Sequence, residues 1–188
     1  MSRAVFLDRD GTINEEKNYL YKIEDFEFLP GTIEAMKLLQ QAGYILVVIT
    51  NQSGIARGYY TEHDFKILND WMTDELSQNG ITLSGVYYCP HHPNASVNEY
   101  RKICNCRKPQ IGLFERAIEE HNIDISMSWA VGDKIRDCSI CSQTGCKGIL
   151  IGDNEKKEVI DMIKAGKESH IYYAEDLLEA AKLILEEN

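Results

Sequence analysis

No aliphatic run in the chain is longer than Ile45–Ile49, far short of the roughly 20 apolar residues that a bilayer-spanning helix requires. The N-terminus also lacks the apolar stretch of a signal peptide and carries Asp8, Arg9 and Asp10 instead, so a cytoplasmic protein is expected. Positive charge is scarce. Against 30 Asp and Glu there are 20 Lys and Arg, a formal net charge of −10 that repels polyanions. The densest basic cluster, Arg101, Lys102, Arg107 and Lys108, is too small to make nucleic acid the expected partner. Internal repeats and low-complexity segments are missing, and with 44% hydrophobic and 27% charged residues the collagen-like and disordered classes are excluded. At 188 residues a single domain spanning 1–188 is expected.

Cysteine is not scarce. There are 6, and the close pair Cys104 and Cys106, in a chain with ordinary core composition, points to reduced thiolates holding a metal rather than to a disulfide framework.

The hydrophobic pattern alternates strands with helices. Ala4–Leu7 reads as a buried strand delivering Asp8 to its end, and Tyr44–Ile49, apolar on both faces, as a central parallel strand ending at Thr50 and Asn51. Between them Ile33, Met36 and Leu39 mark an amphipathic helix stopped by Gly43. Ser53–Gly58 reads as a glycine-bearing loop, and Thr61 with Asp64 opens a helix that runs to Asn79 and Gly80. Further strands are expected at Val86–Tyr88, Trp129–Val131, Gly148–Ile151 and Ile171–Tyr173, with helices around Leu113–Ile118 and from Asp176 to Glu186. The stretch from Cys89 to Lys108 has no period and reads as a long loop, a kind of segment that is usually functional. The expected architecture is α/β: a Rossmann-like parallel sheet with helices on both faces and the ligand at the carboxyl ends of the strands.

Two carboxylates at i and i+2, Asp8 and Asp10, stand where the first strand opens into a loop, and Gly11 permits a turn that aims both at one place. Such a pair can serve as a nucleophile that forms an aspartyl-phosphate and an acid that protonates a departing alkoxide. Cys89 and His91, then Cys104 and Cys106, separated by twelve residues, supply a Cys3His set for a closed, structural zinc site over 89–106. Cys138, Cys141 and Cys146 are expected to pack against the sheet.

Asp8-Arg-Asp-Gly-Thr12, Thr50, Lys108-Pro109 and Gly132-Asp133-x-x-x-Asp137 together resemble the haloacid-dehalogenase-like phosphohydrolases, and they occur in that family's order. The resemblance implies a phosphatase with Asp8 as nucleophile, Asp10 as general acid and base, Thr50 and Lys108 binding the transferring phosphoryl, and magnesium held by Asp8, Asp10 and Asp133. The gaps between the motifs are too short for a cap domain, so specificity falls to loops on the core. The resemblance is strongest to the sugar bisphosphate phosphatases of the family, and it implies substrate contacts from Glu16, Lys17, Asn18, Tyr19, Asn51, Gln52, Ser53, Arg57, Arg107 and Lys134. The expected partner is a small sugar bisphosphate, with no nucleic acid, no membrane and a monomeric chain. Histidinol phosphate is the alternative small substrate; a nucleic-acid end phosphatase and a nonenzymatic zinc module are the other classes left open.

Overall fold

Strands that are apolar on both faces need cover on both, and the computed structural model, which describes residues 1–187, supplies it. Asn188, the last residue of the expected domain, lies outside the described residues. Six strands, β1 (Arg3–Leu7), β2 (Tyr44–Asn51), β3 (Leu83–Cys89), β4 (Trp129–Gly132), β5 (Lys147–Ile151) and β6 (Ile171–Ala174), form one sheet in the order β3-β2-β1-β4-β5-β6. Every neighbouring pair is parallel, with Leu7 opposite Val48 on one side and Val131 on the other.

Alternation along β1 and β2 divides the core in two. Val5, Leu7, Leu46 and Val48 face a layer containing α1 (Thr32–Gln41), the inner side of α3 (Glu62–Gln78) and α6 (Leu177–Glu186). Ala4, Phe6, Val47 and Ile49 face α4 (Gly112–His121) on the opposite side. Phe6 meets Phe114 edge-on, with ring centroids 5.3 Å apart. Truncating a buried phenylalanine of this kind costs about 3–5 kcal/mol. On this same side Ile160 and Ile163 of α5 (Lys157–Lys164) cover Leu150.

The chain winds outward from β1 to β3 and then restarts at β4 on β1's other side. The strand order therefore reverses between β1 and β4, and in open α/β sheets a ligand crevice forms outside the carboxyl ends at such a point. Asp8 and Asp133 are the residues that leave those two ends.

Some elements differ from the sequence expectation. Ser53–Ala56 is a one-turn helix (α2) rather than loop, because Ile55 and Ala56 bury against the protein. β2 and β3 run on to Asn51 and Cys89, which pair with each other and so extend the sheet to the site. After Asp133 the chain forms a 3-10 helix at Ile135–Ser142. It carries Cys138 and Cys141, buried as expected against Gly148, where a Cβ would stand 3.0 Å from both sulfurs. All six cysteines are unbridged. No helix among the described residues is long and apolar enough to cross a membrane.

Candidate active site

Lys108, at the end of the segment that reads as a loop, is buried beneath the strand ends. Its Nζ donates to Asp8 Oδ1 at 2.8 Å and to the Ile49 carbonyl at 2.6 Å, and it forms an ion pair with Asp137 Oδ1 at 2.7 Å. One ammonium cannot balance the carboxylates gathered here. Asp8, Asp133 and Asp137 can bring ligand oxygens within 4.8 Å of one another, a spacing suited to a cation. Burial, then the charge of Asp137, pushes the Asp8 carboxyl up to about 7 despite the pull of Lys108. Asp133 rises to about 6, again through burial first and Asp137 second. Burial disfavours the charge on Lys108, but Asp137 and Asp8 outweigh it and raise its proton affinity.

Two glycines make this crowding possible. Gly11 sits at φ +82°, and a Cβ there would lie 2.4 Å from Asp133 Oδ2. At Gly132 a Cβ would lie 2.3 Å from the Cβ of Asp137.

Asp10 points elsewhere. Its carboxylate accepts from Arg9 Nη2 at 2.8 Å, Asn14 Nδ2 at 3.1 Å and Gln52 Nε2 at 3.0 Å. Gln52 Nε2 also donates to Thr50 Oγ1 at 2.9 Å, while its Oε1 accepts from the Tyr60 hydroxyl at 2.6 Å. Because the tyrosine occupies the amide oxygen, both amide protons are directed at Asp10 and Thr50. Of the magnesium set expected from sequence, the structure thus gathers Asp8 and Asp133 with Asp137, and leaves the Asp10 carboxylate on a neighbouring network.

Outside the buried carboxylates a polar cleft of about 370 Å³ is lined by Asp10, Glu16, Asn18, Tyr19, Asn51, Gln52, Ser53, Arg57, Tyr60, Arg107 and Arg136. Eight of the ten residues expected to contact substrate are among them. The exceptions are Lys17, which is drawn to Glu27, and Lys134, whose Nζ donates to the Asn154 carbonyl. Asn18 and Tyr19 hold the left-handed backbone region, and Tyr19 packs edge-on against Tyr59 and beneath Arg57.

The long loop after β3 folds back on its own cysteines. Sulfurs of Cys89, Cys104 and Cys106 stand 3.1 to 3.6 Å apart, and His91 Nδ1 lies 3.2 Å from Cys106. A regular tetrahedron with Zn–S near 2.3 Å has sulfur edges of about 3.8 Å, whereas a disulfide is about 2.05 Å long. Burial raises the thiols of Cys89 and Cys106, so their conversion to thiolates calls for a cation at the centre. The cluster fits zinc. It also anchors the residues that follow: Arg107 donates to the His91 carbonyl at 3.3 Å, and the Lys108 N–H donates to Asn51 Oδ1 at 3.0 Å.

A family model described as polynucleotide kinase 3 phosphatase matches residues 3–163. The chain is 48% identical over 149 residues to D-glycero-beta-D-manno-heptose-1,7-bisphosphate 7-phosphatase of Escherichia coli (strain K12), covering 78% of each chain. To the protein of the same name from Pasteurella multocida (strain Pm70) it is 42% identical over 184 residues, 98% of this chain and 97% of that one. The chain belongs to the heptose bisphosphate phosphatase branch of this family. The fold is that of the crystal structure of D,D-heptose 1.7-bisphosphate phosphatase from B. bronchiseptica complexed with magnesium and phosphate, with a TM-score of 0.81, 30% identity and 100% of both chains covered. It is a haloacid-dehalogenase-like fold, shared with more distant members of that superfamily. As expected, no cap domain is inserted: between β1 and β2 lie a loop, a 3-10 turn and α1, and between β2 and Lys108 lie α2, α3, β3 and the cysteine loop.

For a heptose bisphosphate phosphatase relative, the sequence reading left three contributors without roles. Asp137 was visible only as the last letter of a motif, yet it is the buried partner of Lys108. Tyr60 gave no signal, since its hydroxyl matters only through Gln52. Arg136 lines the cleft, and the available clue was its position: a cation standing between two aspartates of an acidic chain.

Proposed function

We propose that the chain is a magnesium-dependent phosphatase that removes the 7-phosphate of D-glycero-D-manno-heptose 1,7-bisphosphate through an aspartyl-phosphate on Asp8, a step in heptose biosynthesis. The observation that carries this reading is the buried Asp8–Lys108–Asp137 cluster lying beside an arginine-bearing polar cleft at the switch point of the sheet.

An Asp8 oxygen attacks the phosphorus, and the bond to the sugar oxygen at C7 breaks. Asp10 gives that alkoxide its proton, then takes a proton from the water that attacks the aspartyl-phosphate and releases inorganic phosphate. Lys108 and Thr50 bind oxygens of the transferring group, whose charge must be neutralised for the transfer to proceed. Gln52, fixed by Tyr60, keeps Asp10 and Thr50 in register with each other. Asp8 and Asp133, with Asp10 or Asp137, would hold magnesium, which supplies positive charge to the phosphoryl oxygens and keeps the nucleophile ionised. The Cys89, His91, Cys104 and Cys106 set would hold structural zinc, leaving no open position for chemistry.

A polynucleotide substrate, which the matched family's description brings to mind, finds little support: the chain carries a net charge of −10 and the cleft has the volume of a small-molecule site. Phosphate release should be measured with magnesium on heptose 1,7-bisphosphate, histidinol phosphate and a 3′-phosphorylated oligonucleotide. The bisphosphate should exceed histidinol phosphate in kcat/KM by about thirtyfold or more, the ratio that one charge-assisted contact of about 2 kcal/mol supplies. A preference for either of the other two substrates would replace the proposal.

A further inference from the structure

The chain has ten more acidic than basic residues, yet three arginines, Arg57, Arg107 and Arg136, line one cleft. Among the described residues none of the three forms an ion pair with a carboxylate. Arg57 has a buried Nε with no partner. Arg107 spends one N–H on the His91 carbonyl, and Arg136 is exposed, with no hydrogen bond. Glu16 and Glu155 are near enough to feel the charge of Arg136. Neither neutralises it by contact, and Glu155 is committed to the backbone N–H groups of Ile135 and Lys156. Guanidiniums placed together without counter-charges repel one another, and a bound anion of charge near −2 relieves that repulsion.

Two of them are framed by one buried ion pair. Lys108 and Asp137 form an ion pair at 2.7 Å with both side chains almost fully buried. Arg107 immediately precedes Lys108 and Arg136 immediately precedes Asp137. A single buried bridge therefore fixes the backbone of both arginines, one delivered by the cysteine loop and the other by the 3-10 helix that follows β4.

Resting on the phosphatase reading above, we propose that Arg136 is a specificity-determining residue: with Arg107 it forms a clamp for the non-reacting phosphate of the bisphosphate, its span set by the Lys108–Asp137 bridge. The reacting phosphate goes inward to Asp8, and the second remains at the arginine-lined outer part of the cleft. Since Lys108 also touches Asp8, a phosphate seated in the clamp is held in a fixed relation to the nucleophile. Binding energy at the remote phosphate then serves orientation at the reacting one.

The test compares wild type, Arg136→Ala and Arg136→Lys in the full chain with magnesium, on heptose 1,7-bisphosphate and on heptose 7-phosphate, which lacks the second phosphate. The quantity read is the ratio of kcat/KM for the bisphosphate to that for the monophosphate. Arg136→Ala should lower this ratio about tenfold, the low end of the range for one charge-assisted contact because Arg136 is exposed, and Arg136→Lys, which keeps the charge, should lower it less. A fall of less than fivefold in Arg136→Ala, or an equal fall in Arg136→Lys, overturns the clamp while leaving the phosphatase reading intact. If wild type itself turns over neither sugar, the phosphatase reading fails and the clamp fails with it.

Discussion

Replacing one oxygen of Asp8 by nitrogen keeps the shape of the nucleophile and removes its chemistry. Asp8→Asn is expected to lose turnover by about 10⁴-fold or more. Asp10→Asn is expected to accumulate phosphate on Asp8, because the amide cannot deprotonate the water that would release it. Mass spectrometry of acid-quenched protein reads both variants, and substantial steady-state turnover by Asp8→Asn would exclude the covalent route. The same residues set a pH dependence. The folded-state value of about 7 for Asp8 lies above the ordinary 3.8, and Asp133 at about 6 is shifted in the same sense. The native state therefore binds more protons than the unfolded chain between these values, so their contribution is present at low pH and lost as pH rises through about 7. Protein stripped of magnesium but retaining zinc should lose thermal stability over that interval, and magnesium should raise Tm more at about pH 8 than at about pH 5. A magnesium effect that ignores pH would mean that these carboxylates do not hold the ion. Asp8, Asp10 and Lys108 were legible as sequence because their spacing follows a strand end and a motif. The pairing of Asp137 and the outlook of Arg136 were not, since the directions of adjacent side chains depend on the 3-10 turn that carries them.

Among the elements, the cysteine loop bears most directly on activity. Removing zinc should release the segment from Cys89 to Lys108 and lower activity by misplacing Arg107 and Lys108, while the sheet stays folded on its larger core layer, which contains none of the four ligands. Hydrogen exchange should rise within that segment and remain low in β1, β2 and β4; no change in the loop after chelation would remove zinc from its structural role. Helix α3 offers a contrasting case, since its cap touches none of the buried carboxylates. Thr61 caps it in a reciprocal box with Asp64, so Thr61→Ala should cost about 1 kcal/mol of stability and leave kcat unchanged, as thermal melts and steady-state rates would show. That cap was readable from Thr61 and Asp64 alone, and β1 and β2 from runs apolar on both faces. The four residues of α2 were not readable, because a single turn is too short to show a helical period and its burial comes from distant partners.

For the molecule as a whole, the parallel α/β class followed from alternating elements, but the order β3-β2-β1-β4-β5-β6 did not. Strand order is settled by which helical faces bury against which side of the sheet, information spread over the chain rather than held in any one stretch. That order brings Asp8 and Asp133 together from 125 positions apart in sequence. The overall negative charge and the cationic cleft act together: the surface repels long polyanions, and a few converging arginines admit one small one. With no cap domain, regiochemistry falls to the cleft itself, which under the proposed mechanism holds one phosphate outward and sends the other to Asp8. The decisive measurement is phosphorus NMR of the product formed from D-glycero-D-manno-heptose 1,7-bisphosphate with magnesium. Heptose 1-phosphate together with inorganic phosphate is the expected result; heptose 7-phosphate, or an unchanged bisphosphate, would contradict it.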